Sequence, residues 1–122
     1  MAGTVTVTEQ RFSSVRKITF TWLSSAGGAA DAVTTYAVDG DLLAVYQVPD
    51  GGGTQPTNLY DVTVTDGDGI DVLNALGANL SNAANTIKRT SDGLLPVAAS
   101  LLTLAVTNAG NAKGGKTILY VR

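Results

Sequence analysis

The residues best suited to chemistry in this chain are three aspartates in the run Asp66-Gly67-Asp68-Gly69-Ile70-Asp71. Carboxylate oxygens are ligands that Ca²⁺ prefers, and a tight glycine turn could gather Asp66, Asp68 and Asp71 around one ion. The run departs from the EF-hand loop, because Asp71 stands where that loop needs its glycine and Gly77 stands where it needs its glutamate. An ordinary Asp-Gly turn at the end of a strand accounts for the same residues. The sequence therefore predicts a turn without an obligatory metal, with calcium binding as the alternative.

Other catalytic side chains are scarce. The chain contains no histidine and no cysteine, which are the residues that most often transfer protons near neutral pH, carry thiol chemistry or bind zinc. The glycine run Gly51–Gly53 lacks the Lys-Ser/Thr ending of a phosphate-binding P-loop, so it predicts a mobile loop. No second acidic cluster accompanies the three aspartates to form an acid–base pair. We therefore expect no catalytic residue, no cofactor and no enzymatic activity.

Composition limits the partners. The 122 residues predict a single domain, 1–122, and the net charge of −2 with no basic run longer than Arg16-Lys17 or Lys88-Arg89 argues against nucleic-acid binding. Only 15% of the residues are charged, which suits a protein packed against neighbours, although Thr, Ser and Asn can also solvate a surface. No apolar run approaches the roughly 18–20 residues that span a membrane. Met1-Ala2-Gly3 leads directly into a strand without a signal peptide, so we expect synthesis in a cytoplasm.

Alternation of apolar and polar residues predicts the strands that must carry any functional side chain. It is clearest in Thr4–Glu9, Val15–Ser24 and Leu59–Thr65. Asp39-Gly40 between two apolar runs is a hairpin signal, so we expect Val33–Val38 to pair with Leu42–Val48.

At the end of the chain, Leu101–Asn108 is expected to form a hairpin with Lys116–Arg122 across a loop rich in Asn and Gly. The residues predicted to fill the core share the inward phase of these strands: Ile18, Phe20, Trp22, Tyr46, Val62, Val64, Leu104 and Ile118.

The stretch 71–88 is harder to interpret. Leu73, Leu76 and Leu80 fall at helical spacing, but Gly77 and several asparagines disfavour a continuous helix. We predict a short helical turn at Asp71–Leu76 and an irregular excursion that returns to the sheet near Thr86. The whole pattern predicts an all-β antiparallel sandwich or barrel, either a jelly roll or an immunoglobulin-like sandwich without its disulfide.

The chain resembles small structural proteins of tailed bacteriophage virions over nearly its full length. The resemblance rests on four runs in addition to the short N-terminus that opens into a strand: Tyr46–Gly53, Leu59–Asp66, Gly77–Asn82 and Leu104–Lys113. It implies an all-β particle component, with a head decoration (cement) protein as the leading role. Such families have no catalytic residues, so none is carried over.

The resemblance also implies the partners. They would be the major capsid protein or other virion proteins, with further copies of the chain in a trimer, and the location would be the virion after synthesis in the host cytoplasm. We expect Met1–Thr8 and Gly77–Asn85 to supply much of the docking surface, with five residues as candidate contacts: Thr4, Thr6, Gly77, Asn79 and Asn82. A head–tail or tail component is one alternative. The other is a β-sandwich module that binds a surface or a carbohydrate, with calcium held by the Asp66–Asp71 loop.

Overall fold

The structure is a computed structural model that describes residues 3–122. Its regular elements are almost entirely strands, which confirms the all-β expectation. The strands are β1 (Thr4–Phe12), β2 (Val15–Leu23), β3 (Ala30–Val33), β4 (Val38–Pro49), β5 (Asp61–Thr65), β6 (Thr86–Arg89), β7 (Pro96–Ser100), β8 (Thr103–Thr107) and β9 (Gly114–Val121). Two single 3₁₀ turns lie at Gly52–Thr54 and Thr90–Asp92. Among residues 3–122, no helix has the length and apolar character needed to cross a membrane.

The strands form two antiparallel sheets. The large sheet has the order β1-β2-β9-β4-β6 and is curled into a half-barrel, with β7 pairing to β4. The small sheet has the order β3-β8-β5. One continuous core lies between them, and it draws buried side chains from both sheets. Two packed layers around one core are the arrangement expected for strands that each have one apolar face.

The hairpin of β1 and β2 is the most regular part of the fold. Its strands pair without a shift from Phe12 opposite Val15 to Thr4 opposite Leu23. The connection has only two residues, and Ser13 takes the positive φ of 57° that such a turn needs. Because the strand period is two, the threonines of β1 are exposed on one face while its valines lie half-buried on the other.

The hairpin predicted at Asp39-Gly40 is wrong. β4 runs straight through these two residues, and β3 belongs to the small sheet, where it pairs with β8. Gly40 has φ 119° and lies against the carbonyl of Arg122, so a side chain at this position would clash with that carbonyl. The register shifts after Val38 and again after Leu42, so the Asp-Gly pair makes an irregularity within a long strand.

The predicted C-terminal hairpin is also wrong. β8 pairs with β3 and β5, whereas β9 pairs with β2 and β4, so the two strands lie in different sheets. Between them the chain crosses from one layer to the other. Backbone hydrogen bonds hold this crossing at both ends, from the Ala109 N–H to the Gly28 carbonyl and from the Ser24 N–H to the Lys113 carbonyl.

Most of the predicted core is buried, namely Ile18, Phe20, Trp22, Val62, Val64 and Leu104. Tyr46 and Ile118 are the exceptions, because each is half-buried on the outward side of the large sheet. Their neighbours Val45 and Leu119 point inward instead. β4 and β9 carry apolar residues on both faces, so hydrophobicity alone did not determine which face was the inner one.

The excursion contains no helix. Asn74 and Ala75 have φ values of 52° and 64°, which interrupt any helical turn, so the prediction of helix at Asp71–Leu76 is wrong. The segment is instead a series of tight turns followed by an irregular stretch. The return to the sheet near Thr86 is confirmed, because β6 begins at that residue.

Candidate functional site

The Asp66–Asp71 loop uses its carboxylates to hold its own backbone. Oδ1 of Asp66 accepts the N–H groups of Asp68 at 2.9 Å and Ile70 at 3.0 Å. This is the pattern of an Asx turn, in which a short side chain replaces a backbone acceptor.

Asp71 holds the next turn in the same way. Its Oδ1 accepts the N–H groups of Val64 at 3.2 Å and Leu73 at 3.1 Å, and its Oδ2 accepts that of Ala75 at 3.0 Å. Within residues 3–122 no group of three acidic, His or Cys side chains is placed to hold a metal ion, so Asp66, Asp68 and Asp71 are not gathered into a cluster. What the geometry supports for Asp66 and Asp71 is a structural role in the two turns.

A small polar group lies inside the core. Thr117 donates its hydroxyl hydrogen to Oε1 of Gln47 at 2.7 Å, and both residues are buried. Three further buried polar atoms have no partner among the described protein atoms: Trp22 Nε1, Gln47 Nε2 and Tyr60 Oη. Burial raises the pKa of Tyr60 to about 12, because the low-dielectric interior disfavours the phenolate. A phenol that stays neutral and enclosed in this way is unsuited to act as a base or nucleophile.

A shallow groove lies near the β1–β2 turn, where Arg16 joins three parts of the chain. It donates to Oε1 of Glu9 at 2.9 Å and to the carbonyl of Ala37 at 2.8 Å. Oε2 of Glu9 in turn accepts the N–H of Thr35 at 3.0 Å. The groove has a volume of about 300 Å³ and is bordered by the exposed ring of Tyr36. Since Glu9 and Arg16 use each other and the loop before β4, their evident role is to fasten that loop to the large sheet.

The structure separates the two segments predicted to dock. Thr4 and Thr6 are exposed on the outward face of β1, at one edge of the large sheet. The excursion lies against β5 at the edge of the small sheet, where Tyr60 bridges to Leu80. Met1 and Ala2, also expected to dock, lie outside the described residues. These segments therefore do not form one continuous surface.

Within the excursion the candidate contacts differ in how accessible they are. Gly77 is buried and accepts the Val62 N–H at 2.7 Å, so it presents no outward surface of its own. Asn79 is exposed, with φ 53°, and its N–H donates to Asp61 at 2.9 Å. Asn82 is half-buried; its Nδ2 donates to the Pro56 carbonyl at 2.9 Å, so this side chain anchors the loop. Of these three, Asn79 remains the accessible one.

The outward side of the large sheet forms a surface that crosses five strands, and we call it the outer face. Its central row crosses five strands, since the register places Thr8, Thr19, Ile118, Tyr46 and Ile87 opposite one another in turn. Directly opposed residues share a face of an antiparallel sheet. The other members include Thr4, Thr6, Gln10, Phe12, Val15, Lys17, Thr21, Leu23, Ala44, Val48, Arg89, Lys116 and Tyr120.

The outer face has an aromatic centre and one sign of charge. Tyr46 and Tyr120 pack with ring centroids 5.0 Å apart at 56°. The charged members of the outer face are Lys17, Lys116 and Arg89, and no carboxylate belongs to it. The chain as a whole has a net charge of −2, so its acidic residues lie elsewhere. Tyr and Arg are enriched in surfaces that bind other proteins, and carboxylates are depleted there.

Tyr46 and Ile118 belong to this surface, although the sequence pattern predicted both in the core. One usable signal was present: Gln47 and Thr117 alternate with those residues, and buried polar residues of this kind pair with each other across neighbouring strands. Recognising that pair would have required knowing that β4 and β9 are adjacent.

Comparison of the chain with family models, curated proteins and solved structures gave no match.

Proposed function

We propose that this chain is a noncatalytic structural subunit of a tailed-phage virion that binds the outside of the assembled head and reinforces it. The single observation that best supports this role is the outer face. It is a wide, rigid sheet surface with a Tyr-Ile centre, many threonines, three cations and no carboxylate. The resemblance to phage structural proteins provides the context in which such a surface would have a partner.

The proposed partner is the major capsid protein in its assembled form. A rigid sheet loses little conformational entropy on docking, so even a modest contact contributes to binding. Copies repeated over a shell bind with avidity, and a protein that binds only the assembled form stabilises it by mass action. The resemblance implies a trimer at a threefold position of the shell. Self-association of the chain is part of this proposed role.

The experiment adds the purified protein to undecorated heads and measures binding by co-sedimentation and head survival on heating. We expect binding of the unaltered protein to raise the temperature at which heads rupture. Ile87→Asp places a carboxylate at the end of the central row of the outer face and should weaken binding at least tenfold, on the order of 1.4 kcal/mol.

Leu101→Asp is the matched control. Leu101 and Ile87 are similarly exposed, at 46% and 48%, but Leu101 lies outside the outer face. The control should bind like the unaltered protein. Equal binding by both variants would reject the outer face as the docking surface. Finding the protein in purified tails and absent from heads would reject the decoration role and favour the tail component.

A further inference from the structure

The two edges of the large sheet are built differently. β6 has only four residues, carries Lys88 and Arg89, and continues directly into the 3₁₀ turn Thr90–Asp92. A short, charged edge strand is a common device against pairing with another chain. β1 has nine residues, pairs with β2 without a bulge, and contains neither Pro nor Gly. Its first five residues carry no charge. Its charged residues, Glu9 and Arg11, lie nearer the turn, so the first half of β1 is an edge without these protections.

The hairpin turn determines which backbone groups of β1 point to the free side. Phe12 and Val15 close a two-residue turn, and such a closing pair exchanges both of its hydrogen bonds. Alternate residues repeat this pattern, so the threonines direct their backbone groups to β2. The N–H and carbonyl groups of Val5 and Val7 point the other way. Gly3 lies two residues before Val5, so its backbone points to the same side. Its N–H donates to the Ala29 carbonyl at 3.2 Å.

Nothing in the described part of the chain pairs with this free side of β1 beyond Gly3. β3 lies nearby and contacts β1, but its backbone bonds are with β8. Among residues 3–122, no backbone–backbone hydrogen bond outside the strand pairing involves the N–H or carbonyl of Val5 or Val7. These groups form a short ladder that is ready to accept another strand.

The sequence of the edge indicates which strand would fit. Thr4-Val5-Thr6-Val7-Thr8 reads the same in both directions about Thr6. Two antiparallel copies centred on Thr6 would place Val5 opposite Val7 of the second copy, and Thr4 opposite Thr8. The backbone also suits this register. Val5 of one copy would lie opposite Val7 of the other, and both residues have unpaired N–H and carbonyl groups on the side where the copies meet. An isologous twofold contact requires this self-complementarity.

We propose that two copies of this chain associate through β1, in antiparallel register about a twofold axis at Thr6. The Val5 and Val7 pairs would exchange four backbone hydrogen bonds in total. Their half-buried side chains would cover one another on the core side, while threonines would meet on the outer face. This contact does not depend on a role in a virion.

The test places a charge on the axis. Thr6 is exposed, so Thr6→Lys and Thr6→Glu should leave the fold intact, as checked by circular dichroism and melting temperature. The unaltered protein should have about twice the 12.4 kDa mass of the chain in light scattering. Each variant alone should dissociate at least tenfold more readily, because like charges would face each other across the axis. An equimolar mixture of the two variants should recover the dimer, since Lys then faces Glu.

Thr63→Lys is the control, because Thr63 is an exposed threonine in the middle of β5 on the small sheet. It should dimerise like the unaltered protein. Hydrogen exchange provides a second readout: the amides of Val5 and Val7 should become protected as concentration rises, and Thr6→Lys should abolish that protection. The proposal would be overturned by a monomer at millimolar concentration or by a trimer. It would also be overturned by a dimer insensitive to Thr6→Lys, or by a mixture of the two charged variants that stays monomeric.

Discussion

Trp22 and Tyr60 pack against each other across the core, with ring centroids 5.6 Å apart and planes inclined by 50°. Trp22 belongs to β2 of the large sheet, and Tyr60 immediately precedes β5 of the small sheet. A tilted aromatic pair contributes about 0.5–1.5 kcal/mol beyond the area that the rings bury. The pair therefore joins the two layers at one point. Trp22 Nε1 and Tyr60 Oη, the polar atoms of the pair, have no hydrogen-bond partner among the described protein atoms.

The first prediction concerns Tyr60→Phe at neutral pH. The Tyr60 hydroxyl is buried and makes no hydrogen bond with the described protein atoms, so its removal should change the free energy of unfolding by less than about 1 kcal/mol. Urea denaturation would measure this change. A loss of several kcal/mol would show that the hydroxyl has a partner of real energetic value.

The same variant should change the alkaline stability. The pKa of Tyr60 is raised to about 12 in the folded protein, against about 10 for an unfolded tyrosine. Between these values the unfolded chain loses this proton first, so the stability linked to Tyr60 is full below pH 10 and is lost as pH rises towards 12. The loss should be on the order of 2 kcal/mol. Subtracting the Tyr60→Phe profile from that of the unaltered protein should isolate it; identical profiles would contradict the prediction.

A third prediction uses Gly115, over which the indole of Trp22 lies. A Cβ at this position would come within 2.7 Å of the Trp22 Cζ2 atom and 3.0 Å of the Val48 carbonyl oxygen. Gly115→Ala should therefore destabilise the protein by about 1–3 kcal/mol and alter the tryptophan fluorescence. Gly53→Ala is the control, because a Cβ there meets nothing within 4 Å. Equal melting temperatures for the two variants would contradict this packing.

The fourth prediction compares two aspartates of one loop. Asp71→Ala leaves the N–H groups of Val64, Leu73 and Ala75 without their acceptor, so it should lower the free energy of unfolding by about 2–4 kcal/mol. Asp68→Ala removes an exposed side chain and should change it by less than about 0.5 kcal/mol. Denaturant titrations would measure both. A larger effect at Asp68 would indicate a role that the hydrogen bonds do not account for.

Calcium provides the fifth prediction. Asp66 and Asp71 direct carboxylate oxygens to backbone N–H groups, and rearranging them to bind an ion would break those turns. Millimolar calcium or a chelator should therefore leave the melting temperature unchanged within about 1 °C. A rise of several degrees that disappears in Asp68→Ala would contradict this and favour the calcium-dependent binding module.

The accuracy of the sequence-based predictions followed the locality of the signal. β1 and β2 were placed within a few residues of their ends, because the alternation that predicts a strand lies within the segment itself. The partners of β8 and β9 were wrong, since pairing across layers depends on contacts far apart in sequence. Asp39-Gly40 is a local turn signal. In the structure, however, Gly40 pairs with Val97 and lies against the Arg122 carbonyl, so the two residues form an irregularity within β4.

The candidate surface was harder to predict than the core. Thr4 and Thr6 were correctly identified as outward-facing, because β1 has an unambiguous alternation. Tyr46 and Ile118 were not, because their strands are apolar on both sides and only a neighbour such as Thr117 identifies the inner face. The register across five strands, which turns scattered residues into one surface, has no signature in any single segment.

The short, charged β6 also bears on how far assembly can proceed. If two large sheets join through β1, each end of the continuous sheet becomes a copy of β6. Neither end then offers a long uncharged ladder, so the joined sheet has no site for a third. The proposed association would be self-limiting, and a concentrated solution should contain discrete particles rather than growing fibres. The difference between the two edges would then stop the sheet from growing beyond two copies.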